Sequence, residues 1–307
     1  MILALAVMVP TLLWDKGPET APILERAEIK EIAVPPALAA RWKGQSSLSC
    51  ATVDPATLTV LQVPRVDYRI NEARATSVPW LENNGGQFLR YPDRSYLYKA
   101  PGKSAAIAAA EASMFGVRAY IDTDEEGLRQ VAPILRFLRT AEPEPGPPVT
   151  NIGVVDDGSS RVGELLKLLV RYNLLVRPEP SPDKRLRLNV QIGSAKYPTE
   201  EAADPHHMAL LIRGDLGDEN RDLRTYGSDV VLGRLTGDEK KLRVHLLNYS
   251  ARPVHGLRVK IAGAYAQQQA RAPGAAAPQL LDVSVGENAT EFTIPLMENY
   301  LIVDLTR

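Results

Sequence analysis

SAAIAAAEASMFGVRAYIDTDEEGLRQVAPILRFL, residues 104–138, places a helix, a strand and a second helix in a row. Its first part is mostly alanine, the strongest helix former, and ends at Gly116, suited to the left-handed turn that closes a helix. Side chains that small allow close approach to a sheet. VRAYID (117–122) reads as a strand. Thr123 and Glu126 have capping-box spacing, and Leu128, Val131, Leu135 and Leu138 recur on one helical face. Short strands alternating with helices are the pattern of parallel β/α units.

The same alternation runs back toward the N-terminus. LLWD (12–15) is followed by Gly17-Pro18 and a helical stretch, 20–27. IKEIAVPP (29–36) is a strand stopped by two prolines, which cannot continue a ladder. PALAARW (36–42) makes a short helix with Pro36 in its first turn, and SLSCATV (47–53) is a third strand. Residues 54–103 are less regular. Within them VPWLENNGGQFLRYP (78–92) holds Asn83-Asn84-Gly85-Gly86, read as a turn because positive φ is cheap for glycine and tolerable for asparagine.

Beyond the α/β segment, AEPEPGPPVT (141–150) carries four prolines and a glycine and reads as a linker. NIGVVDDGS (151–159) is a strand running into a turn, with Ser159 or Ser160 capping a helix that ends near Asn173. RLRLNVQIG (185–193) is another strand, and 202–216 another helix. From Ser228 the pattern changes to six short strands, DVVLGRL, LRVHLLNYS, HGLRVKIAG, QLLDVSV, TEFTIPL and YLIVDL, with a hairpin turn at Thr236-Gly237-Asp238. A run of strands without a helix signal reads as an antiparallel sandwich, and 266–278 reads as a low-complexity excursion. The chain is α/β first and all-β last, divided at 1–145, 151–227 and 228–307.

Composition bounds the function. The 307 residues carry 36 Lys+Arg against 37 Asp+Glu, a net charge of -1, without the broad basic field of a nucleic-acid binder. Cys50 is the single cysteine, which excludes an intramolecular disulfide and a zinc site of several thiolates. Residues 2–13, ILALAVMVPTLL, fall short of the ~20 needed for an integral membrane span. They fit the hydrophobic region of a secretory signal, with 1–13 as its remnant and a periplasmic or secreted location. No basic residue precedes the run and no A-x-A site closes it, so a first core strand in a cytoplasmic protein is the alternative. No histidine pair has metal-binding spacing, and no phosphate loop or G-x-S-x-G elbow occurs. No metal or cofactor is expected.

WDKGPE (14–19) ending the first strand, PWLENNG (79–85), VVDDGS (154–159), VHLLNYS (244–250), GLRVKIAG (256–263) and the final YLIVDL (300–305) carry a resemblance. Together the order of these pieces resembles bacterial glycoside hydrolases that join a β/α barrel, a small amidotransferase-like α/β domain and a C-terminal β-sandwich. The resemblance implies a TIM-type β/α barrel, a flavodoxin-like α/β unit, a sandwich and carbohydrate as the partner. A full (β/α)₈ barrel takes ~200–250 residues. Only the segment before the linker is available here, so the barrel is partial or degenerate, or recruits the middle unit to close.

Hydrolysis of a glycosidic bond needs two carboxyl groups, ~5–5.5 Å apart for retention or ~6.5–9.5 Å apart for inversion. In a barrel they sit where strands end. Asp15, Glu82, Asp122 and Asp156 (or its neighbour Asp157) fall at such ends and are the candidate catalytic residues, whereas Glu19 and Glu111 lie in or near helices. Each has a plainer reading, since an aspartate at a strand end often caps the next helix. Trp80, beside Glu82, is a candidate platform for a sugar face. Trp14 and Trp42 read better as core. Asn83 and Asn84 are candidate partners for sugar hydroxyls or simply turn residues, and Arg90 is a candidate anion or hydroxyl partner or a solvated surface arginine. If the carboxylates stand apart, capped or in ion pairs, the alternative is a non-catalytic glycan- or protein-binding module.

Overall fold

In the computed structural model the described residues are 7–44, 48–67, 79–274 and 276–307; the front of the apolar N-terminal run, 1–6, lies outside them. The first unit contains β1 (Thr11–Leu13), α1 (Ala21–Arg26), β2 (Glu31–Val34), α2 (Pro36–Trp42), β3 (Ser49–Thr52) and β4 (Thr59–Leu61). β5 (Arg65–Asp67) and β6 (Trp80–Glu82) form a separate antiparallel pair. α3 (Gly85–Arg90), β7 (Ser95–Lys99), α4 (Ser104–Phe115), β8 (Arg118–Asp122) and α5 (Glu125–Thr140) follow.

Six of these strands make one wholly parallel sheet in the order β3-β2-β1-β8-β7-β4. The order is cyclic: the first and last strands, β1 and β8, are neighbours, as closure of a β/α barrel demands. The break falls between β3 and β4, which are the two edges. Helix placement agrees. Leu12, Ile32, Tyr98 and Ile121 share one core with Leu24 of α1, Trp42 of α2, Phe88 of α3, the alanines of α4 and Leu135 of α5. Successive strand residues face opposite ways, and among the described residues the buried apolar cluster of the other face is Leu13, Ala33 and Leu97, with Val53, Leu58 and Tyr120 against them. A doubly wound sheet would carry helices on both faces. The unit is consistent with a partial barrel that keeps its helices outside, and no closed barrel is present among the described residues.

Two local readings change. α5 is capped by Asp124, whose carboxylate accepts from Gly127 N, rather than by Thr123; the Thr123 hydroxyl instead donates to Ala100 O at 2.6 Å. Gly85 and Gly86 are not turn residues with positive φ but the first turn of α3. A Cβ on Gly86 would lie 2.7 Å from the backbone N of Lys167, so glycine there permits a close helix crossing. Gly86→Ala is expected to cost about 1–3 kcal/mol through overpacking; an unchanged urea midpoint would show that the crossing can relax.

α4 ends at Gly116 with φ +67. Ala105 through Phe115 are all buried, because the helix is packed both by the sheet and by the C-terminal unit.

The middle unit holds β9 (Ile152–Val155), α6 (Ser160–Arg171), β10 (Val176–Glu179), β11 (Leu188–Val190) and α7 (Pro205–Leu216). Its three strands form their own parallel sheet, β10-β9-β11, and do not extend the six-stranded one. Ser159 caps α6, and Asp204 caps α7.

The last unit is β12 (Leu223–Tyr226), β13 (Val231–Gly237), β14 (Lys241–Asn248), β15 (Val254–Ala262), β16 (Gln267–Arg271), β17 (Leu281–Val285), β18 (Ala289–Met297) and β19 (Tyr300–Thr306). They form two four-stranded antiparallel sheets, β12-β15-β18-β17 and β13-β14-β19-β16, around a shared core of residues such as Leu246, Val259, Phe292 and Val303. Two of the eight strands are hidden in the sequence. β12 lies in the charged stretch before Ser228, and β16 is the QQQAR of the low-complexity segment, paired to β19 at a sheet edge.

The proline-rich segment 141–150 is clamped to the sandwich. Val149 N donates to Leu235 O and Gly237 N to Pro147 O, both at 2.9 Å. Glu144 accepts from Thr236 Oγ1 at 2.6 Å and lies 3.1 Å from His245 Nε2. Burial opposes its ionisation, yet His245, Thr236 and Arg243 hold its carboxyl down at about 2.

Candidate active site

At the C-terminal ends of β1 and β8 the inner face of the sheet carries charge. Leu13 pairs with Asp122, and Asp122 with Lys99; residues paired this way project to the same face. Asp15 follows two positions beyond Leu13. Asp15 is exposed and Asp122 half-buried. Burial pushes the Asp122 carboxyl up, the negative charge of Asp15 pushes it further, and Lys99 opposes both. Asp122 is free of the capping duty that a strand-end aspartate often has, because Asp124 does that work with Gly127 N (2.7 Å) and Gly102 N (3.1 Å). A carboxyl kept partly from water, with a second carboxylate whose charge it feels, has the ingredients of an acid/base pair.

Glu82 and Asp156 lie elsewhere, where the first unit meets the middle one. Glu82 accepts from Lys167 Nζ of α6 at 2.6 Å and from Trp80 Nε1 at 2.7 Å. Burial raises its pKa, but Lys167 and Trp80 outweigh it and hold the carboxyl below the usual range. Arg171 stacks over the Trp80 ring, 4.4 Å from its centre. Arg90 donates through Nε to Asp156 at 2.7 Å and also through its terminal nitrogen, and reaches Ser159 O at 2.8 Å. Asp157 accepts from Ser159 N, a local turn contact.

The Arg90–Asp156 pair, 9% and 19% exposed, ties α3 to the start of α6. Arg90→Met is expected to cost about 3 kcal/mol, measured by urea unfolding at neutral pH. The Arg90 hydrogen bonds hold Asp156 below its ordinary 3.8. That contribution is therefore present above pH 3.8 and lost as the pH falls through the lowered value. The gap between wild type and variant should narrow in acid; a constant gap from pH 6 to pH 2 would count against it.

Asn83 and Asn84 are both buried. The Asn83 side-chain oxygen accepts from Gly85 N at 3.2 Å. Asn84 donates to Glu111 twice, from its backbone N at 2.8 Å and its side-chain N at 2.9 Å. Tyr249 Oη of the sandwich donates to Glu111 at 2.6 Å, and Tyr98 Oη donates to its other oxygen. Glu111 is fully buried. Burial pushes its carboxyl up, while Asn84, Tyr249 and Tyr98 pull part of that shift back. The sequence held one signal of this centre: a lone acid among alanines, on a helix with no polar face.

Trp14 and Trp42 are core residues, 1% and 2% exposed. Their indoles donate to Thr20 Oγ1 at 2.8 Å and Lys16 O at 2.9 Å, fixing the loop that carries Asp15. Cys50 is exposed on an edge strand. Among the described residues no group of three or more His, Cys, Asp or Glu is arranged to hold a metal, and no helix is long and apolar enough to cross a membrane.

No protein-family model matches the chain, and no curated protein matches it. Among solved structures the chain is similar to an alpha-L-fucosidase isoenzyme from Paenibacillus thiaminolyticus, at 8% identity and a TM-score of 0.49, over 69% of this chain and 60% of that one. It is also similar to a rhamnosidase from a Novosphingobium species, at 11% identity and a TM-score of 0.40, over 69% of this chain and 31% of that one. An endoxylanase from Clostridium papyrosolvens matches at 7% identity and a TM-score of 0.25, over 100% of this chain and 97% of that one. The chain therefore spans 60% and 31% of the lengths of the first two proteins.

Proposed function

We propose that this is a carbohydrate-associated protein that hydrolyses glycosidic bonds with Asp15 and Asp122 as its carboxylate pair. The observation that supports the reading is that β1 and β8 are neighbouring parallel strands, with Asp122 at the end of one, Asp15 just beyond the end of the other, and the Asp15 charge felt by Asp122. Asp122, whose proton is held more tightly through burial and the Asp15 charge, is the general acid that protonates the leaving oxygen. Asp15, reachable by solvent, supplies the second carboxylate. Lys99, next to Asp122 in the sheet, stabilises the carboxylate that Asp122 becomes as it gives its proton to the leaving oxygen.

Release of chromogenic glycosides by the full chain tests the reading, with Asp15→Asn and Asp122→Asn as the decisive variants. Glu82 and Asp156 hold the junction in this reading. Their engagement by Lys167 and Arg90 also favours the second one, a glycan-binding protein without catalysis. That second reading predicts glycan binding with no turnover, and equal binding by wild type and Asp122→Asn.

A further inference from the structure

A groove of about 780 Å³ separates the helix side of the first unit from the sandwich, well within the size range of small-ligand sites. It lies across the sheet from Asp15 and Asp122, because Ile107 of α4 and Gln130 of α5 help to line it. Lys103 and Arg252 stand on its two walls, and Arg65 joins them, held at 2.9 Å by Asp67. Among the described residues neither Lys103 nor Arg252 has an ion-pair partner, and Glu298 is the single carboxylate of the lining.

The sandwich wall is built before any ligand arrives. Asn248, fully buried, donates through its side chain to Arg252 O at 2.8 Å and Glu298 O at 2.6 Å. Its backbone N donates to Asn299 O at 2.8 Å. Tyr249, in the floor beside Ile107, is pinned by Glu111. Rigid walls reduce the ordering cost of binding.

Two cations without an ion-pair partner among the described residues, on opposite walls, with the Gln130 and Asn299 amides also in the lining, define what fits. We infer that this groove binds an acidic saccharide, with its carboxylates taken by Lys103 and Arg252 and its hydroxyls by the Gln130 and Asn299 amides. The saccharide identity rests on the carbohydrate reading above; the preference for negative charge rests on the groove alone.

Isothermal titration of the full chain with trigalacturonate, maltotriose and inorganic phosphate tests it. Trigalacturonate is expected to bind about tenfold or more tightly than maltotriose, and to weaken as salt screens the cations. The double variant Lys103→Glu, Arg252→Glu, at exposed positions, is expected to lose that preference while retaining the wild-type melting curve. Equal affinity for both trisaccharides, binding indifferent to the charge reversal, or no binding would overturn the proposal. Phosphate binding as tight as trigalacturonate would overturn the saccharide part. Turnover of chromogenic glycosides by the same double variant reports separately on Asp15 and Asp122, so the two readings fail independently.

Discussion

Glu111→Ala is expected to lower the stability of the chain by about 3–5 kcal/mol, the cost of removing one partner from a buried charged network. The change strands the Tyr98 and Tyr249 hydroxyls and the Asn84 backbone N–H, all of which donate to Glu111. These groups come from β7, from the sandwich and from the loop ahead of α3, so the loss should loosen the units from one another. The expected readout is a large drop in the urea midpoint together with earlier exposure of the sandwich to protease. Glu111→Gln keeps the volume but turns an amide NH₂ toward donors, and should cost about 1–3 kcal/mol. A Glu111→Ala midpoint equal to wild type would refute the account.

The same residue gives a pH dependence with a definite sign. Its folded carboxyl is raised above the ordinary 4.5, first by burial. Between 4.5 and the raised value the folded state binds more protons than the unfolded one, so stability falls as the pH climbs through that window. Glu111→Gln lacks the group, so its stability relative to wild type should improve with rising pH there.

Asp122→Asn is expected to lower glycoside hydrolysis by about 10²–10⁴-fold, the usual contribution of a positioned general acid, with little change in the melting curve because among the described residues no cap or ion pair depends on it. The general acid must be protonated, so activity falls as the pH rises through the Asp122 pKa. Asp15 raises that pKa through its charge. In Asp15→Asn any residual activity should therefore lose its alkaline limb at lower pH than in wild type, in addition to the loss of the second carboxylate. An Asp122→Asn enzyme that turns over at the wild-type rate would sink the assignment; Glu82→Gln, by contrast, should act on stability through Lys167.

Much of the architecture was legible locally. The Leu128, Val131, Leu135, Leu138 stripe, Gly116 as a helix end, the Ser159 cap and the switch to short strands after Ser228 all act within a few residues of themselves. Burial periodicity and capping are properties of one or two turns of chain, so they survive in the sequence. The misses have other causes. Gln267–Arg271 is an edge strand whose partner, β19, supplies the hydrogen bonds that its own side chains do not advertise. Gly85 and Gly86 looked like a turn because conformational freedom and lack of bulk are the same atoms seen two ways.

The sequence by itself determined that acids stand at the ends of strands, that alanine fills one helix and that the chain passes from β/α units to β-strands. Only the tertiary structure decided which strand ends are neighbours and which acids are tied up in ion pairs. Asp15 and Asp122 share a face because β1 pairs with β8, whereas Glu82 and Asp156 are taken up by Lys167 and Arg90 across the contact of α3 with α6. Glu111 becomes the point where three parts of the molecule join. A charge carries no local mark of its future partner: its energy depends on what long-range packing brings within a few ångströms and on how much water that packing removes.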